Sequence, residues 1–130
     1  MTLNRQVAEG IEGIRLQVDP SQVTVREDNE GGAFVIVESI TLGGDLYQQT
    51  ESWIGFRITF QYPYADVYPH YVRGDLARCD GSPLGEAMSV SSFEGRPAIQ
   101  ISRRSNRLNP VTDTAVIKLV KVIEWLLTRP

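Results

Sequence analysis

The chain has 130 residues and a mass of 14.5 kDa, which suits a single domain over residues 1–130 that buries roughly two thirds of the surface its unfolded chain exposes. A net charge of −3 and a pI of about 5.1 argue against the broad basic field that nonspecific nucleic-acid binding needs, and no apolar run approaches the ~18 residues of a membrane span, so neither partner is expected. One cysteine, Cys79, and one histidine, His70, allow no intrachain disulfide, no cysteine-rich zinc site and no imidazole cluster, so neither a metal nor another cofactor is expected.

The start Met1-Thr2-Leu3-Asn4-Arg5 lacks the charged head and apolar stretch of a signal peptide, which predicts a cytoplasmic protein. Leu3, Val7 and Ile11 recur at helical spacing behind Asn4, a candidate cap, while Gly10 and Gly13 weaken the helix they sit in. Asp19-Pro20-Ser21 is a turn signal, Val23-Thr24-Val25 a short alternation, and Arg26 to Gly32 a polar hairpin loop whose Glu27, Asp28 and Glu30 face solvent. Ala33 to Leu42 is a strand, with Phe34, Ile36, Ile40 and Leu42 on one face and Val35, Val37, Ser39 and Thr41 on the other. Gly43-Gly44-Asp45 is a turn; no Lys-Ser/Thr follows, so it is not a phosphate loop. Trp53 to Phe60 alternates again, with Ile54, Phe56, Ile58 and Phe60 opposite Gly55, Arg57 and Thr59, a face expected to be wet.

Between that strand and the next, which begins near Tyr71-Val72, lies Phe60 to Val72, with four tyrosines and two Tyr-Pro steps. Proline fixes its own φ and drives the preceding residue toward extended backbone, so a stiff, extended connector with mostly inward-facing rings is expected. Asp75 to Arg96, broken by glycines and Pro83, carries no clear period, and Ala98 to Ser102 reads as a last short strand. Thr112 to Leu127 is an amphipathic helix, with Val116, Leu119, Val120, Ile123 and Leu127 on its apolar stripe and Lys118, Lys121 and Glu124 off it. Asn109-Pro110 and Thr112-Asp113 supply its start signals, and Trp125 offers roughly 150–250 Å² of burial. The expected fold is α+β: an antiparallel four-stranded meander covered on one face by helices.

This order of elements, with Tyr62-Pro63-Tyr64 and a second proline at Pro69, resembles ubiquitin-conjugating enzymes and their noncatalytic relatives, the ubiquitin-conjugating variants and RWD domains. The likeness covers Val23 to Val72 and the helix after Asn109. The ending Ile99-Gln100-Ile101-Ser102-Arg103-Arg104-Ser105-Asn106-Arg107, followed by Trp125-Leu126-Leu127, is similar to small proteins of bacterial ubiquitin-like conjugation operons. The resemblance implies a His-Pro-Asn element and a thioester-forming cysteine beyond the connector, and neither is recognisable: the counted positions read Ala87, Met88, Ser89, Val90 and Ser91, and Cys79 comes too early. A serine ester transfers its acyl group to amines far less readily than a thioester, so the resemblance implies a noncatalytic protein.

Three candidate features remain. Cys79, between Arg78 and Asp80, is the alternative nucleophile of a divergent active enzyme that would use Asp80 or His70 as its helper. His70 itself suits a packed or hydrogen-bonded ring in the connector. Arg103, Arg104 and Arg107 form the basic cluster of an acidic chain; their forks suit carboxylates, phosphates or a modifier's C-terminal tail, and Tyr64 and Tyr68 are candidate partner-binding aromatics. The function expected is a noncatalytic subunit that binds a ubiquitin-like protein or an active conjugating enzyme. The alternatives are an active enzyme on Cys79, and a small α+β adaptor or oligomer, homomeric or heteromeric, unrelated to conjugation.

Overall fold

The computed structural model describes residues 3–105 and 107–128. Helix α1 (Arg5–Gln17) starts where the Asn4 side chain accepts the N–H of Val7, and it buries Val7, Ile11 and Ile14. A single 3-10 turn (Pro20–Gln22) leads into six strands and a final helix: β1 (Val23–Glu27), β2 (Ala33–Thr41), β3 (Glu51–Ile58), β4 (His70–Arg73), β5 (Met88–Phe93), β6 (Arg96–Ile101) and α2 (Ala115–Thr128). The strands form one antiparallel sheet in the order β1-β2-β3-β4-β6-β5. Among the described residues, no helix is long and apolar enough to cross a membrane.

The six-stranded sheet corrects the expected four-stranded meander. Beyond β4 the chain makes a hairpin whose β6 pairs with β4 and whose β5 becomes the sheet edge. Strand β5 is hidden in the sequence because Met-Ser-Val-Ser-Ser-Phe buries only its ends, Met88 and Phe93, which lie an odd number of residues apart and so face opposite sides of the sheet.

Helices α1 and α2 pack on one face, where Val35, Val37, Ile54, Phe56, Ile58, Val72, Ile99 and Ile101 meet Ile11, Ile14, Leu119, Val122 and Leu126. A register shift between Val37 and Ile40 turns Ile40 and Leu42 onto this face with Val35 and Val37, whereas strict alternation groups them with Phe34 and Ile36. The buried stripe of α2 runs Ala115, Lys118, Leu119, Val122 and Leu126; Val120, expected inside, is half exposed, and Lys118, expected outside, is buried. The helix begins later than Thr112, behind Thr114, whose hydroxyl accepts the N–H of Ile117; Asn109 and Asp113 bond to each other's turn ahead of it.

Two tyrosine hydroxyls fasten α2 at its ends. Tyr62, in the connector, accepts the buried N–H of Ala115 at 2.9 Å, and Tyr47, after β2, donates to the carbonyl of Leu126 at 2.6 Å. Both groups are end groups of the helix, where backbone donors and acceptors lack intrahelical partners. The Tyr62 ring also lies against Gly10 of α1, where a Cβ would come to 3.0 Å of it, so one side chain joins connector, α1 and α2. The connector is not extended as its prolines suggest: Phe60 to Tyr64 forms turns closed by bonds to the carbonyls of Thr59 and Gln61, and the Tyr62–Pro63 and Tyr68–Pro69 bonds are cis.

The other face of the sheet, expected wet around Arg57, carries a second cluster. Phe93 at the β5–β6 hairpin tip lies over Gly55 of β3, among Phe34, Trp53 and Tyr71, with its ring 4.7 Å from that of Tyr71. A Cβ at position 55 would come within 2.6 Å of the Phe93 ring, so this approach requires glycine. Glu94 (φ 50°) and Gly95 (φ 76°) make the tight turn, and two bidentate pairs tie the tip down, Arg26 with Glu94 and Arg96 with Glu38. The hairpin thus curls across β3 and β2 toward β1.

Burial pushes the Tyr47 hydroxyl up to about 12, against the pull of Arg78. Because the folded value exceeds the unfolded one, this stabilisation is complete below about pH 10 and is lost as pH rises through 12. Tyr47→Phe should cost about 1–2 kcal/mol at neutral pH by leaving the Leu126 carbonyl without its donor, and should remove part of the alkaline loss; urea unfolding at neutral and alkaline pH measures both.

Candidate functional site

Where β6 ends, the chain turns back over the first turns of α2, and a buried ion pair holds it there. The Lys118 ammonium donates to Asp66 of the connector at 3.1 Å, to the Arg103 carbonyl at 2.7 Å and to the Ser105 hydroxyl at 2.9 Å. Asp66 in turn accepts the Ser105 N–H at 2.7 Å and the Ser105 hydroxyl at 2.9 Å. Burial pushes the Asp66 carboxyl up, but the Ser105 bonds and the Lys118 ammonium outweigh it and hold the group below its ordinary value. All three donors of the ammonium are used, so Lys118 is a structural fastener and not a free ligand.

This junction aims two arginines outward. Arg103 stacks over Trp125 at 5.1 Å and Arg104 over Tyr68 at 4.2 Å, each measured to the ring centroid. Arg103 and Arg104, with Lys121, Val122 and Trp125, line a surface groove in which Lys121 is paired with Asp113. Among the described residues, neither Arg103 nor Arg104 stands in an ion pair. Two planar cations held on aromatic faces have the donor geometry that suits a carboxylate or a similar planar anion. A second concavity, on the opposite face of the sheet near Trp53, offers less, because Glu38, Arg73, Asp75 and Arg96 there are already paired with one another.

The predicted site residues therefore divide. Arg103, Arg104 and Tyr68 come together; Arg107 lies outside the groove with φ 54°, and Tyr64 stands 71% exposed, with no ring contact among the described residues. Trp125, whose ring the sequence offers for burial, is half buried and serves as the platform for Arg103, and the positioning roles of Asp66 and Lys118 were missed. Their only sequence signal is a lysine one residue ahead of Leu119 on a helical stripe.

The groups required for thioester chemistry are not assembled. Cys79 is exposed on the loop between β4 and β5, with its backbone N–H on the Leu46 carbonyl. The neighbouring Asp80 carboxylate is engaged by the N–H and hydroxyl of Ser82. His70, the other proposed helper, lies in the core against Phe56, 1% exposed, with no hydrogen-bond partner for either ring nitrogen among the described residues. The positions counted for the nucleophile, Ala87 to Ser91, fall at and within β5. Among the described residues, no cluster of carboxylate, imidazole and thiol groups is arranged to hold a metal.

Comparison of the chain with family models, with curated proteins and with solved structures returns no match. His70 gives this site a measurable signature. Burial first, then the Lys118 charge, depress its pKa to about 3 against the pull of Asp66, so the folded protein refuses a proton that the unfolded chain takes up near pH 6.5. The stability His70 contributes is present above pH 6.5 and is lost as pH falls toward 3, a change on the order of 4 kcal/mol. His70→Leu should flatten the unfolding free energy between pH 6.5 and 3.5 without loss at pH 7, as read by chemical denaturation.

Proposed function

We propose that this chain is a noncatalytic binding subunit whose groove of Arg103, Arg104 and Trp125 receives a carboxylate-bearing segment, in a bacterial ubiquitin-like modification pathway of the kind its sequence resembles. The segment is the C-terminal tail of a ubiquitin-like modifier or an acidic stretch of an active conjugating enzyme. The observation that carries this reading is the pair of arginines stacked on Trp125 and Tyr68 with, among the described residues, no carboxylate paired with either guanidinium. The stacking holds each fork in place before a ligand arrives, so less side-chain entropy is lost on binding.

The state of Cys79 supports a binding role over a transfer role. A thiol whose candidate base is buried in the core, and whose neighbouring carboxylate is bonded to Ser82, has neither proposed helper poised to take its proton. The resemblance adds the setting and the groove adds the chemistry of the ligand.

The experiment titrates a bacterial ubiquitin-like modifier with a free C-terminus, and the same modifier with its C-terminus amidated, into the wild-type chain and the Arg103→Ala/Arg104→Ala variant. Charge-assisted hydrogen bonds of about 1.5–3 kcal/mol predict roughly a tenfold or greater loss of affinity in the variant. If the tail carboxylate is the group held, amidation should weaken binding to the wild-type chain by a similar factor and should change binding to the variant little. Equal binding by the variant contradicts the reading, as does a reducible thioester on Cys79 after incubation with activating enzyme, adenosine triphosphate and modifier.

A further inference from the structure

The two edges of the sheet differ in kind. Strand β1 ends in the charged pair Arg26-Glu27, with Arg26 clamped by Glu94 and the Thr24 hydroxyl bonded to Glu38, the type of edge that resists another strand. Strand β5 carries no charge and no proline from Met88 to Phe93, and Val90, 89% exposed, is among the barest large apolar side chains of the molecule. Ser89 and Ser92 beside it are exposed as well.

The hairpin turn fixes which backbone groups of β5 face outward. A two-residue turn at Glu94-Gly95 makes Phe93 and Arg96 a mutually bonded pair, and bonded and unbonded pairs then alternate along the ladder. Ser91 and Ser89 bond to β6, whereas Val90 and Ser92 turn their N–H and C=O groups away from it. Met88, next in that outward series, has its N–H taken by the Gly85 carbonyl, so the open edge is centred on Ser91.

We infer that β5 pairs antiparallel with β5 of a second copy of this chain about a two-fold axis at Ser91, joining two sheets edge to edge. In that register Val90 of each copy lies opposite Ser92 of the other, so the outward donors and acceptors satisfy one another. The strand is its own complement in hydrogen bonding and in charge: two chains of net charge −3 meet along a segment with none. The small serines at 89, 91 and 92 give a foreign side chain little to grip but let a second backbone approach, which favours a copy of the chain over an unrelated peptide. The two Val90 side chains come to the same face as diagonal neighbours.

The register makes the test specific. Ser91 and Ser91 of the partner copy form an unbonded antiparallel pair, with Cα atoms about 4.5 Å apart, inside the range a disulfide spans. In a Cys79→Ser background, Ser91→Cys should yield a disulfide-linked dimer on mild oxidation, while Ser89→Cys, which faces Phe93 of the other copy, should not. Sedimentation should find twice the 14.5 kDa mass at high micromolar concentration. Val90→Pro, which removes an outward donor and leaves the β5–β6 bonds in place, should return it to monomer with unchanged circular dichroism. A monomer throughout that range, or equal cross-linking at 89 and 91, overturns the inference. So does a dimer that survives Val90→Pro. Because the groove of Arg103 and Arg104 enters none of these readouts, the outcome is independent of the tail-binding proposal.

Discussion

The Lys118 ammonium is the point on which the site depends. With side-chain exposures of 7% and 15%, Lys118 and Asp66 are removed from most of the water that would otherwise solvate their charges, so each requires the other. A buried pair of this kind adds little net stability over well-packed apolar residues, but it admits one arrangement. Connector, post-β6 segment and α2 must arrive together, because the ammonium needs Asp66, the Arg103 carbonyl and Ser105 at once. The fixed backbone at Arg103 then decides where both guanidinium groups stand.

Around that junction, the helix is held by its ends and the sheet by its tip. Tyr62 and Tyr47 supply one partner each to the terminal backbone groups of α2, which places Lys118 and Trp125 at a fixed height over the strands. On the far face, Phe93 seated on Gly55 and the Arg26–Glu94 and Arg96–Glu38 pairs bind the last hairpin back across the first strands. The same curl has a consequence at the edge: the hairpin's charged residues are spent inward on β1 and β2, and β5 itself is left neutral and bare.

Much of this was legible where one residue's local chemistry decides the outcome. The Asn4 cap and the alternation of Ile54, Phe56 and Ile58 need only short-range rules, and the structure follows them. Legibility failed where the outcome depends on distant partners. The serine-rich β5 has no apolar period because it is an edge strand covered only at its ends. The bulge after Val37 changes the face of Ile40 and Leu42 without a glycine or proline to announce it. Lys118 is charged, and composition puts charge outside; only Asp66, far away in sequence, makes its burial tolerable. At the site, the run of arginines drew attention to Arg103 and Arg104, which the junction aims into the groove, and equally to Arg107, which it does not.

Asp66 and Lys118 act as one unit, and a double-mutant cycle measures this. Unfolding free energies of wild type, Asp66→Asn, Lys118→Met and the double variant give the coupling between the two side chains. Each single change strands a buried charge or its bonding partners and should cost on the order of 3 kcal/mol, while the double variant should cost well below the combined loss, for a coupling above about 1 kcal/mol. Additive losses, within about 0.5 kcal/mol, would contradict the claim that this pair sets the geometry of the groove.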